Sequence, residues 1–419
     1  MKYNYGIVFI LLIFANVFES KIAVCTYWDE AVTLLVMIYG SVQLIQKDSF
    51  CIRKSKLRYW GFLVLLVAIG LLGNLWHPGF QNSSSVVVRD IMALCKFFII
   101  LFVFDNVDYT VEKQLKILKV ASEISKVIIL ITFVCAVVGY FTSNLFYTGE
   151  TRFVKCFQFV FSHPTFFVSS YVMIMGILIA DSIKKNRFFI FLNCILIFMA
   201  QRTKGMIVVV LVLAMLFLGE DKCIYIYNKV SAPKKRGQLN GKLCFLIILV
   251  ASLAWYLMKD KVSLYFSWGL SAARPALYIV GLQIMLKFFP TGSGFGTFAS
   301  SLSGRYYSGI YDLFRISNVS GITRNSHNYV GDVFWPYIYG QFGIFGLIIY
   351  VKMIIHCIEM YVKENFIVAH KFAIIVLWIY ALMASTAEAF FTNSSAVQMA
   401  LIIGIYIGKS KRGRKGNIK

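Results

Sequence analysis

YWGFLVLLVAIGLLGNL, residues 59–75, contains no charged side chain. It approaches the roughly 20 apolar residues that a helix needs to cross a bilayer core. Working outward in both directions, eleven further runs of the same kind lie near 6–24, 31–46, 86–105, 126–147, 164–182, 188–203, 205–219, 243–258, 330–351, 372–390 and 394–408. The expectation is an all-α polytopic membrane protein with about twelve transmembrane helices. Composition agrees: 59% of the 419 residues are apolar and only 15% are charged. Soluble domains carry about a quarter charged residues, so this chain has too few to cover a water-facing surface, and it is too apolar and aromatic for disorder.

Charge gives the orientation. The formal net charge is +23, and in a membrane protein Lys and Arg collect in cytoplasmic loops. With an even number of spans and both termini cytoplasmic, the inner segments hold most of the 42 basic residues, including CIRKSKLR (51–58), KKNR (184–187), KVSAPKKRG (229–237) and the tail KSKRGRKGNIK (409–419). These basic runs therefore read as topology signals, and nucleic acid is not an expected partner. The apolar run behind Lys2 lacks a small-residue cleavage site and reads as a retained first helix. Nine scattered cysteines form no CxxC pair and no metal-ligand spacing.

The exception to a simple topology is the segment 259–329, which falls on the outer side between spans 1–258 and 330–408. It holds seven basic residues (Lys259, Lys261, Arg274, Lys287, Arg305, Arg315, Arg324) against Asp260 and Asp312. External loops should be poor in Lys and Arg, and loops this long inside a compact protein usually serve function. An anionic ligand is the natural cause.

Within the loop, ARPALYIVGLQIMLKFF (273–289) reads as an amphipathic helix stopped by Pro290 and followed by the turn-rich TGSGFGTF (291–298). Arg274 and Tyr278 are four residues apart and share a face. No Gly-Lys-Ser/Thr follows the glycines, so this is no nucleotide P-loop; a turn that ends the helix is the plainer reading. Farther on, RNSHNYVGDVFWPYIYGQFGIFGL (324–347) places Arg324, His327 and Asn328 before the tenth span and Asp332 at its outer end. His327 is either a structural histidine or a proton acceptor near neutral pH. Gly340, Gly343 and Gly346 mark close helix packing.

Three further positions stand out. In QRTKG (201–205), Arg202 and Lys204 lie between apolar runs, where they either snorkel to headgroups or contact an anion. Arg89 and Lys96 are seven residues apart on one helical face, about 10 Å along the axis; Lys96 binds substrate or pairs with an acid such as Glu388 or Asp90. His163 opens the sixth span in SHPTFF (162–167). No D-x-D, HExxH, GxSxG or ATP-binding motif occurs, so neither metal nor cofactor is expected. Arginine suits phosphate because its planar fork donates paired, charge-assisted hydrogen bonds.

HPTFF, QRTKG, ARPALY…FFPTGSGFGTF and SHN…GQFGIFGL, in this order and with one large outer loop before the last three spans, resemble the O-antigen ligase and Wzy-type polysaccharide polymerase superfamily. The resemblance implies a GT-C-like membrane glycosyltransferase that acts on polyprenyl-diphosphate-linked glycans at the outer face of the bacterial cytoplasmic membrane. By position it assigns the donor diphosphate to Arg202 and Arg274 and an acceptor-activating role to His327. Arg324, Tyr278, Lys204, Arg305, Arg89, Lys96 and His163 stand as candidate substrate contacts. The leading expectation is a polymerase of capsule, exopolysaccharide or O-antigen repeat units, working beside a flippase and a chain-length regulator. The alternatives are an O-antigen ligase and a lipid-linked oligosaccharide transporter.

Overall fold

The protein is described by a computed structural model, which covers residues 2–45, 54–81, 83–107, 110–142, 145–151, 155–231 and 267–408 without 364–366, plus isolated positions between 252 and 264. All but two positions of the expected ninth span (243–258), Lys261 and the basic tail lie outside the described residues.

The described chain is built from helices: α1 (Lys2–Ile13), α2 (Ala15–Lys21), α3 (Trp28–Ile45), α4 (Lys54–Trp76), α5 (Ser84–Asp105), α6 (Val111–Phe141), α7 (Pro164–Asp181), α8 (Arg187–Met199), α9 (Thr203–Leu218), α10 (Glu220–Ser231), α11 (Ala273–Lys287), the short α12 (Ser301–Arg305) and α13 (Ile310–Leu313), α14 (Trp335–Lys363), α15 (Val368–Ala384) and α16 (Ser394–Leu401). Four of them are long and apolar enough to cross a membrane, in α4, α6, α7 and α14; α1 and α2, bent by 59°, together make a fifth candidate. Shorter apolar helices α8, α9, α15 and α16 complete an apolar bundle. A membrane-embedded, mostly helical protein is thus established at this coarse level.

One expected run ends early. Helix α6 stops at Phe141, and Tyr147–Thr151 pairs antiparallel with Lys155–Phe157, Tyr147 opposite Phe157. Within an otherwise helical fold, as expected, this one small hairpin caps the passage from α6 to α7. Polar TGET at 148–151 has too little helix propensity to extend an apolar span.

Helix α7 is the hub, buried along nearly its whole length and packed by α6, α8 and α15. A helix that is apolar all round belongs inside a bundle. Outer faces of α3, α4 and α6 instead expose Leu34, Leu35, Ile38, Val64, Val127, Ile131 and Val134, as a lipid-facing surface would.

Segment 290–300 ties the chain between α11 and α14 to this bundle. Ser293 and Gly294 donate their N–H groups to the carbonyls of Gly340 (3.0 Å) and Gln341 (2.9 Å) in α14. Phe295 N donates to Asn74 Oδ1 at the end of α4 (2.7 Å), and Gly296 N to Asp90 Oδ2 in α5 (2.7 Å). Asn74 and Gln341 return the favour, donating to the carbonyls of Phe295 (2.9 Å) and Phe298 (2.6 Å). Gly294 has φ +92°, and a Cβ there would lie 2.4 Å from Asn74 N, so only glycine fits. The glycine-rich turn is a buried fastening between three helices. Gly340 accordingly faces Phe298, and Gly343, with φ +61° at a kink in α14, faces Pro290 and Gly292. The close packing read from these two glycines is against this turn; Gly346 faces Phe342 of its own helix and Leu66 of α4.

Candidate functional site

Helices α8 and α9 turn back on each other through Gln201, a non-glycine residue at φ +51°. Left-handed backbone costs an L-residue roughly 1–2 kcal/mol. Here it aims Arg202, the N-cap of α9, toward the start of α7. Gly205 makes the approach close: a Cβ on it would stand 2.9 Å from both Val168 and Ile197.

At the start of α7, His163 is the N-cap, and its Nδ1 accepts from Thr165 N at 3.1 Å. That cap points the other ring nitrogen at the hairpin, with Nε2 3.4 Å from Arg202 Nη2. Two residues after Arg202, Lys204 Nζ sits 2.5 Å from Glu388 Oε1, in the segment after α15, with both side chains largely buried. Arg202 and Arg274 are both near enough to act electrostatically on Lys204. Arg274, in the first turn of α11, donates from Nη2 to Asp332 Oδ2 at 3.1 Å.

Tyr278 follows Arg274 by one turn of α11, as expected, and donates to Thr386 O at 2.8 Å. Its own carbonyl accepts from Tyr339 at 2.9 Å. Burial pushes the Tyr278 phenol up to about 12, so it remains a neutral donor. Burial also raises the Asp332 carboxyl, against the pull of Arg274. Three separate chain segments thus deliver His163, Arg202, Lys204, Arg274 and Tyr278 to one end of the bundle, and two more bring Asp332 and Glu388 among them. Planar guanidiniums and an ammonium gathered this way suit an anion with several oxygens.

The remaining candidates fall elsewhere. Arg324 pairs with Asp312 at 2.6 Å and covers the Tyr307 ring. The Arg324 hydrogen bond holds Asp312 below its ordinary carboxyl range. His327 Nδ1 lies 3.3 Å from Arg324 O, and its Cβ packs near Gly304, beside Arg305 at the end of α12. Arg89 Nη1 donates to Tyr306 at 3.4 Å. Arg89, Arg305, Arg324 and His327 therefore belong to an outer rim of the loop.

Lys96 is neither at the rim nor with the cations of α9. It is 4% exposed and bonds to Asp29 at the start of α3, with Glu30 at 3.9 Å. The sequence reading offered Glu388 or Asp90 as its acid; Glu388 instead holds Lys204, and Asp90 accepts from Gly296. With a carboxylate facing its ammonium inside the bundle, Lys96 reads as a packing pair, and its expected substrate contact is corrected. Sequence reasoning also passed over Asn74, Gln341 and Thr386. A buried Gln in an apolar helix was a usable signal; a backbone carbonyl gives none.

Among the described residues no three His, Cys, Asp or Glu side chains converge as a metal ion requires. No protein-family model matches the chain, and no curated protein matches its sequence.

Proposed function

We propose that the chain is a polysaccharide polymerase. In this reading it joins polyprenyl-diphosphate-linked repeat units into capsule, exopolysaccharide or O-antigen at the outer face of a bacterial cytoplasmic membrane. About twelve spans, with both termini cytoplasmic, belong to the same reading. The observation that carries it is the convergence of Arg202, Lys204 and Arg274 with His163 at one end of an apolar bundle. Like charges brought together repel, and an anion of several oxygens offsets that repulsion.

The chemistry follows from the donor. Energy for glycosyl transfer resides in the bond between the sugar and the lipid diphosphate. An acceptor hydroxyl attacks the anomeric carbon, and polyprenyl diphosphate leaves with the bonding pair. Arg202 and Arg274 stabilise the charge growing on that leaving group; one such contact is worth on the order of 10²–10³-fold in rate. The resemblance gave the hydroxyl proton to His327, which lies with Arg324 in the rim; Asp332, half-buried beside Arg274, is the acceptor that stands among the cations and takes that proton in this reading. In-line displacement inverts the anomeric configuration.

Purified protein mixed with lipid-linked repeat units tests the reading. Longer glycans without added ATP or metal are expected from the wild type, and Arg202→Ala or Arg274→Ala should abolish them while protein levels persist. Normal polymer from either variant removes the diphosphate assignment. Unchanged substrate that moves across vesicles identifies a transporter instead. Transfer of finished polymer to a lipid core, with no elongation, identifies a ligase.

A further inference from the structure

The opposite end of the α8–α9 hairpin carries a second cluster of cations. A groove of about 640 Å³ opens there between the start of α8 and the end of α9. Lys184, Lys185 and Arg187 line one end, and the rest is apolar, with Phe191 on α8 facing Leu213 and Phe217 on α9. Phe217 is 90% exposed, so the apolar part lies open on the flank of the bundle. Helix α8 has 13 residues, which at 1.5 Å per residue puts this end about 20 Å from Arg202.

The acids beside this turn are already engaged. Asp181 accepts from Ser122 and Asn186, both at 2.9 Å, and Glu220 accepts from Ser182 at 3.2 Å and from Lys184 N at 2.8 Å. Glu123 is held by Lys126 at 2.9 Å, and Lys185 approaches Glu123 and Asp181 only to 3.9 Å. Lys126, Lys184, Lys185 and Arg187 stand against Glu123, Asp181 and Glu220, four cations to three carboxylates. The surplus matches one phosphodiester. A charged head joined to an apolar slot excludes free phosphate as the best fit and favours a molecule with both parts.

We propose that this groove binds an anionic glycerophospholipid, its phosphodiester between Lys184, Lys185 and Arg187 and an acyl chain along Phe191, Leu213 and Phe217. The site is independent of any reaction at the other end of the hairpin. On the orientation proposed above it faces the inner leaflet.

Native mass spectrometry of the full chain in detergent tests this, with phosphatidylglycerol and phosphatidylcholine of identical acyl chains as probes. The wild type should retain phosphatidylglycerol at least about fivefold over phosphatidylcholine, the difference one surface cation makes. Replacing all three cations (Lys184→Gln, Lys185→Gln, Arg187→Gln) should cut retention by on the order of a hundredfold. Leu213→Trp fills the slot with every charge in place and should also release the lipid. All four positions are exposed, and an unaltered melting temperature without lipid reports intact folding. Equal retention of both lipids overturns the proposal. So does binding that survives either the triple substitution or Leu213→Trp, and so does a lipid-free dimer whose interface covers the groove.

Discussion

Lys96 and Lys204 are both lysines sunk into apolar helices, yet their surroundings differ in kind. Lys96 meets Asp29, with Glu30 close behind: one cation, two carboxylates, enclosed between α3 and α5. Lys204 meets Glu388, but two guanidiniums act on it as well. Any buried ammonium loses hydration and needs a partner. Only the second arrangement adds repulsion among cations beyond that need. A lone intramembrane lysine therefore says little about function, whereas a lysine gathered with two arginines, one of them from a distant segment, suits an anion.

The first way to break this contrast is Lys96→Ala. Removing one member of a buried pair leaves Asp29 uncompensated and should cost about 3–5 kcal/mol, read as a lower midpoint of thermal unfolding in detergent. Lys96→Met combined with Asp29→Leu should recover most of the loss. Inorganic pyrophosphate should still raise the melting temperature of the Lys96 variant, since ligand binding stabilises the folded form. A Lys96→Ala protein that no longer responds to pyrophosphate would erase the distinction.

Glu388→Gln sharpens the other side. It deprives Lys204 of its carboxylate while sparing shape, and should destabilise by about 1–3 kcal/mol. Pyrophosphate should then recover more stability than it adds to the wild type, because it replaces a lost negative charge. Equal gains in both proteins would place the anion away from α9.

The smallest effect belongs to the rim. Asp312→Asn removes a solvent-exposed pair with Arg324 and should change stability by less than about 1 kcal/mol. Its pH dependence has a definite sign. The folded carboxyl titrates below its ordinary 3.8, so the pair contributes fully above that pH and is lost as pH falls through the lower folded value. Asp312→Asn should flatten the acid limb slightly; an effect confined to neutral pH would assign the pair another role.

Apolar runs were legible because hydropathy is a local property, and most of them coincide with helices. The hairpin at 147–157 escaped because a few polar residues at the end of a long span carry no distinctive period. Arg202, Arg274 and His163 could be singled out by their placement among apolar residues. Their convergence on Glu388 and Asp332 could not, because partners far apart in sequence meet only through packing. Asp29 escaped for the same reason: an acid opening a helix is ordinary, and nothing in the chain pairs it with a lysine of another helix. TGSGFGTF read correctly as a turn, but Asn74, Asp90 and Gln341 lie on three different helices, so its burial was invisible.

That turn has a mechanical consequence. A loop riveted at its midpoint is two short levers, with α11 on one side and α12–α13 on the other. Helix α11 is itself packed along α14, and a swing of the entire loop would have to tear Gly294 and Gly296 from three helices at once.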